Sequence, residues 1–222
     1  IPNWGVSIII LTILLKLVMF PLTKKSSIGT QKMQEMQPRI QAIQAKYKDN
    51  PQKMQQETAK LYKEAGYNPV SGCLPMVFMF VVLFAMFNLF NNYFEFRGAM
   101  FIPGWIPDLS AGDSIYRFNF NIPFIGSDLR LLPIIYVISQ LLFGKITQNG
   151  GTMTGSNAAQ MKMMMYGMPL IFFFLFYNAP SGLILYWTVS NFVQLIQQLF
   201  INAMMKKEKN AEKKSNVKKF RK

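Results

Sequence analysis

Within LTILLKLVMFPLT, Leu11–Thr23, a single ammonium group, that of Lys16, stands in an otherwise apolar run. Taking such a charge out of water is costly, and its placement has two readings. At 1.5 Å per residue along a helix, Lys16 lies about 9 Å from Leu22, close enough for a long side chain to snorkel to an interface. Alternatively it faces a water-filled cavity or a polar ligand at membrane depth. Thr12, one helical turn earlier, shares its face and makes that face polar. Asn88, Gln140, Ser190, Asn191 and Gln194 also fall inside apolar stretches. Each alone is an ordinary helix–helix hydrogen-bonding group; together they permit a hydrated pocket.

Other chemistries lack their residues. The sequence has no histidine, a single cysteine at Cys73, and no aspartate or glutamate in any long apolar stretch. That removes the common general base, a cysteine metal cluster, an internal disulfide and the usual carboxylate partner of a proton relay. The expectation is a non-enzyme with no catalytic residue, no metal site and no cofactor. A lone cation could instead accept the acidic residues of a passing polypeptide.

The elements that must position Lys16 follow from composition. Of 222 residues, 51% are hydrophobic and only 15% charged, against about 25% charged in soluble domains, which points to a membrane protein. A bilayer core needs roughly 20 apolar residues in helix. Five stretches qualify or nearly do: Trp4–Leu22, Cys73–Phe94, the shorter Leu131–Ile146, Met163–Tyr177 and Gly182–Ile201. The last two are separated by NAPSG, whose Pro and Gly allow a tight reversal. Starting at Ile1 without a methionine or a signal-type leader, the chain reads as a mature or trimmed piece.

Charge orients the stretches. The net charge is +14, and the basic residues cluster between Thr23 and Asn68 and after Asn202, whereas Glu95–Leu129 carries four carboxylates and only Arg97 and Arg117. The positive-inside rule puts the first two segments in the cytoplasm and the third outside. The expected fold is therefore an all-α integral membrane protein with five transmembrane helices, N-terminus out and C-terminus in. Its expected parts are a first helix at 1–22, a cytoplasmic helical hairpin at 23–68, a second helix at 69–94 and an extracytoplasmic loop at 95–129. The third to fifth helices occupy 130–201, with a cytoplasmic linker at about 147–160, and a basic tail follows at 202–222.

In the hairpin, Met33, Met36, Ile40, Ile43 and Tyr47 recur at helical spacing, as do Met54, Thr58, Leu61 and Ala65. Between the two sets lies KDNP, with Asn50 placed as an N-cap and Pro51 at the first helical position. An antiparallel hairpin standing on the membrane fits this pattern, and two amphipathic helices lying flat on lipid are the alternative. Pro38 predicts a kink or a late start in the first arm. The second and fourth apolar stretches are rich in Met and Phe, which suit both lipid-facing packing and promiscuous hydrophobic contact. VSGC, Val70–Cys73, mimics a lipidation box but follows a cytoplasmic segment rather than a leader. The basic tail reads as a topology determinant and lipid anchor, with ribosomal RNA contact as the sharper option.

Several ordered motifs carry a resemblance: NWGVSIIILT and MFPLTKK in the first stretch, MQEMQPRIQAIQAKYKDNPQKMQQETAKLYKEAGYNP in the hairpin, GCLP opening the second, and GMPLIFFFLFYNAPSGLILYWTVSNFVQLIQQ across the last two. In order and spacing they resemble the YidC/Oxa/Alb family of membrane protein insertases, in its bacterial branch, over nearly the whole chain. The resemblance implies a five-helix core with a hydrophilic groove open to cytoplasm and lipid, which inserts and helps fold integral membrane proteins, alone or with the Sec translocon. Lys16 matches the groove cation, usually an arginine in bacterial relatives. The charge is kept and the bidentate fork is lost. Thr12, Gln140, Tyr186 and Trp187 match further groove positions. Met76, Phe80 and Phe84 in the second stretch and Met168, Phe172 and Leu175 in the fourth match a hydrophobic slide along which a substrate helix exits to lipid. A proline common in the second helix is Val81 here. Arg39, Lys46 and Lys48 are assigned to cytoplasmic recruitment. The implied partners are nascent membrane proteins, membrane lipids, the ribosome and the Sec translocon, in the bacterial cytoplasmic (inner) membrane. A small anion channel or transporter using Lys16, or a passive chaperone of already inserted helices, are the alternatives.

Overall fold

A computed structural model describes residues 3–67, 69–123, 125–147 and 163–220. Helix α1, Trp4–Val18, starts where the Asn3 side chain accepts hydrogen bonds from the N–H groups of Gly5 and Val6, satisfying two of the free donors at a helix start. It stops at Met19, just before Pro21. Helix α2, Phe20–Lys46, leaves at 61° to α1 and contains Pro38, so the first arm does not start late at that proline. Helix α3, Pro51–Glu64, is capped by the Asn50 side chain, which accepts from Lys53 N–H at 3.0 Å. It folds back on α2 through a cluster of Met36, Ile40, Leu61 and Tyr67, flanked by Met33, Ile43 and Tyr62.

Helix α4 spans Pro69–Asn92, α5 Leu131–Thr147, and α6 Met168–Phe176, the last preceded by a π-helical turn at Met163–Gly167. Helix α7, Ser181–Phe220, takes in most of the basic tail without a break. The linker expected at about 147–160 lies, beyond Thr147, outside the described residues. Among the described residues, no single helix is long and apolar enough to cross a membrane; α1 and α2 pass that test only as a bent pair. Phe80–Phe90 and Leu131–Thr147 are shorter apolar helices.

The fold is mostly helical, as expected, with one two-stranded addition. Within the 95–129 segment, β1, Tyr116–Ile122, pairs antiparallel with β2, Gly126–Leu129. The sequence YRFNFNI alternates apolar and polar residues with the period of a strand. Its face of Tyr116, Phe118 and Phe120 stacks rings at centroid distances of 5.2 and 5.3 Å, and Gly126, at φ 85°, takes the turn conformation that favours glycine.

The main core gathers Ile8 of α1, Phe90 of α4, Phe96, Ile106 and Leu109 of the loop, Leu132 of α5, and Leu183–Trp187 of α7. Ser181–Thr188 is buried on every face, as expected of the central helix in a bundle. The loop is clamped onto it. Ser181 N–H and Gly182 N–H donate to the carbonyls of Ala111 and Leu109, and the Ser181 hydroxyl donates to that of Asp108. Midway along α7, the Ser27 hydroxyl donates to Gln198 Oε1 and Gln31 Nε2 donates to Asn202 Oδ1, both at 2.7 Å. These bonds fix the root of the hairpin.

Candidate functional site

Gly5, Ile8, Thr12 and Lys16 form one buried stripe of α1, the i, i+3, i+4 spacing of a single helix face, and α1 packs this way against α7. Thr12 is fully buried, and its hydroxyl donates back to the Ile8 carbonyl at 2.7 Å. Lys16 is 8% exposed. It sits in the last turn of α1, where the carbonyl end of the helix favours a cation. Its ammonium donates to Gln194 Oε1 at 3.0 Å, and among the described residues no carboxylate lies at ion-pair distance from it. The Lys16 carbonyl, one of those left free as the helix ends, accepts from Gln197 Nε2 at 2.9 Å. Gln197 Oε1 is buried without a partner.

Lys16 borders a cavity of about 440 Å³. Its wall brings together Thr12, Lys16, Gln140, Tyr186 and Trp187, all five groove positions expected from sequence, with Phe80, Met168 and Phe172 of the slide set. Leu15, Tyr136, Phe143, Ser190 and Asn191 complete much of the wall. The polar groups are held in place. Gln140 Nε2 donates to the Tyr136 hydroxyl at 3.0 Å, and Asn191 Nδ2 donates to Ser139 Oγ at 3.2 Å. Trp187 is pinned between Tyr136 and an edge-on Phe176, with ring centroids 5.8 and 4.9 Å away. One cation, uncharged hydrogen-bonding groups and aromatic walls can solvate a short polar segment and contact an apolar one. They include no nucleophile–base pair.

A family model described as 60Kd inner membrane protein matches residues 1–209. The chain belongs to this family, the bacterial branch of the YidC/Oxa insertases. The membrane protein insertase YidC of Treponema denticola is 64% identical over 208 residues, covering 93% of this chain and 35% of that protein. The YidC of Treponema pallidum is 55% identical over 210 residues, 94% and 33% respectively. A crystal structure of an active YidC insertase with its first transmembrane domain resolved is similar at a TM-score of 0.62 and 29% identity, over 87% of this chain and 41% of that one. The chain thus spans about a third of the length of these curated relatives.

The other residues singled out in this family member lie elsewhere. Phe84 and Leu175 are about two-thirds exposed and are not among the residues that line the cavity. Met76 lies outside the residues whose side chains are described. Arg39, Lys46 and Lys48 are exposed on the hairpin, where the Lys46 and Lys53 ammonium groups flank the Tyr47 ring.

Two arrangements escaped the sequence reading. Gln194, one of several isolated polar residues there, is the partner of Lys16; its spacing to Gln197 and Gln198 places three amides on one face and was the available signal. Asp113 was one of the loop's carboxylates. It is 1% exposed, and its Oδ2 accepts from Trp105 Nε1, Leu131 N–H and Leu132 N–H at 2.8–2.9 Å, capping α5 from a distant segment. No local pattern marks such a cap.

Proposed function

We propose that this chain is the insertase core of its family: five membrane spans, N-terminus outside, in a bacterial inner membrane. Its groove receives the polar segment of a nascent membrane protein. The observation that carries this reading is the convergence of Lys16, Thr12, Gln140, Tyr186 and Trp187 on one cavity whose remaining wall, Ser190 and Asn191 apart, is mostly apolar. Water and positive charge at membrane depth lower the cost of moving a short polar segment outward. The apolar part of the substrate then leaves along Phe80, Met168 and Phe172 into lipid, driven by apolar burial. No bond is made or broken, so the work is done by solvation and not by transition-state chemistry.

The hairpin, with Arg39, Lys46 and Lys48 exposed, recruits substrate, ribosome or targeting factors. The basic end of α7 anchors to anionic lipid or ribosomal RNA, and the Sec translocon is a partner for part of the substrate range. Site-specific photocrosslinking tests the groove. A photoreactive residue at Phe172 is expected to capture a stalled single-span nascent chain, and one at the exposed Ile196, across α7 from Trp187, is expected not to. Equal capture at both sites would contradict the reading. The anion-channel alternative predicts halide flux through vesicles containing the protein and no nascent chain.

A further inference from the structure

The ammonium of Lys16 does not stand free in the cavity. From α7 the cavity is lined by Tyr186, Trp187, Ser190 and Asn191. Gln194, which holds the ammonium at 3.0 Å, is one helical turn beyond Ser190, toward the end where α2 departs. Gln194 is half-buried on a helix stretch stitched to its surroundings on both sides. Asn191 bonds Ser139 on one side, and Gln197 bonds the Lys16 carbonyl on the other. Its amide oxygen is therefore a fixed, neutral acceptor at the cavity's rim.

An ammonium has three donors on a flexible four-carbon stem. A carboxylate is a stronger acceptor for it than an amide, because its full negative charge adds ion-pair attraction to the hydrogen bond. Resting on the proposed function above, we propose that Gln194 is the resting partner of the groove cation, displaced when an acidic segment enters, and so a specificity-determining residue. The amide holds Lys16 away from the interface to which it would otherwise snorkel, yet weakly enough for a substrate carboxylate to take over. A carboxylate at position 194 would not yield in this way.

The test uses the full chain reconstituted in vesicles and two single-span substrates, identical except that the outer tail carries three aspartates or three asparagines. The readout is the ratio of protease-protected acidic to neutral substrate. Gln194→Glu is expected to lower that ratio about tenfold, to the value given by Lys16→Ala, with the neutral substrate inserted normally. Gln194→Leu, which removes the resting acceptor, is expected to raise it several-fold. If the Glu variant does not fold, the Leu variant decides: a rise supports the proposal, and an unchanged or lowered ratio overturns it. Equal loss of both substrates in both variants would mark Gln194 as structural only and overturn the proposal as well. A ratio that depends on Lys16 but ignores Gln194 overturns this inference alone, whereas one unmoved by Lys16→Ala removes the groove reading beneath it.

Discussion

Lys16 and Asp113 are opposite solutions to burying a charge. The carboxylate of Asp113 is buried with three donors converging on one oxygen, the arrangement expected of a structural ion. The ammonium of Lys16 is buried with a single neutral acceptor, leaving capacity for a ligand. That contrast supports the proposal that the first serves stability and the second receives a substrate. Asp113→Ala would leave the Trp105, Leu131 and Leu132 donors unpaired and is expected to cost about 3 kcal/mol or more, seen as a lowered unfolding midpoint in detergent. Asp113→Asn, which keeps one oxygen in place, should lose clearly less. Equal loss in the two variants would show that the negative charge, and not the acceptor, matters. Sequence made Lys16 conspicuous because a charge in an apolar run is anomalous on its face; Asp113 stood in a polar loop, where its burial is a property of the fold.

At the scale of elements, α1 can approach the 95–129 segment because its second residue, Gly5, has no side chain. The Phe101 side chain occupies the place a Cβ on Gly5 would need. Gly5→Ala is expected to cost about 1–3 kcal/mol by forcing the ring aside. Phe101→Leu in the same chain should return part of that loss, because contacting sites couple; strictly additive losses would place the contact elsewhere.

The β-hairpin has its own dependence on pH. The Arg117 guanidinium, 2.9 Å from Asp128, holds that carboxyl below the usual range, helped by the Ser114 hydroxyl. Burial pushes the Asp108 carboxyl up, but the N–H and hydroxyl of Ser110 together with the N–H groups of Gly98 and Ala111 outweigh it, so it too is lowered. A folded pKa below the unfolded value of about 3.9 contributes stability at higher pH that is lost as pH falls through the folded value. Hydrogen exchange of the Ile115 amide, which bonds the Leu129 carbonyl, should therefore lose protection below about pH 4. In Asp128→Asn the loss should be smaller, and an identical profile would exclude the ion pair as its cause.

The elements divide by how local their signals are. Asn50 and Pro51 marked the start of α3 because a cap acts within one turn. The alternation in YRFNFNI was equally local and went unread under the expectation of an all-α fold with a plain loop at 95–129. The break at Met19 and the passage of α2 through Pro38 were not legible from local pattern: the start of α2 is held by Gln198 and Asn202 of α7, 171 positions from Ser27 and Gln31, and Met36 and Ile40 beside Pro38 pack on Leu61 and Tyr67.

For the whole molecule, α7 is the axis. Its first turns carry the core, its middle carries the cavity wall and Gln194, and Gln198 and Asn202 hold the hairpin root. The hairpin beyond Gln34 packs chiefly on itself. Replacing residues 35–64 by a short Gly/Ser linker, which retains Ser27 and Gln31, is therefore expected to lower insertion without shifting the unfolding midpoint of the bundle. A large fall in that midpoint would make the hairpin a structural part of the core. That Thr12, Lys16, Gln140, Tyr186 and Trp187 belong together was an expectation from family resemblance, and they line one cavity; the hydrogen bond that restrains Lys16 was not legible, because it joins positions 178 residues apart.

The most direct test of the account is protease protection in vesicles containing only this protein, with a single-span substrate bearing an acidic outer tail, comparing the unaltered chain with Lys16→Arg and Lys16→Ala. Protection retained by arginine and reduced about tenfold or more by alanine is predicted, since the attraction needs a charge and not a particular head group. Equal protection by all three chains would contradict the central claim that the charge of Lys16 receives the substrate.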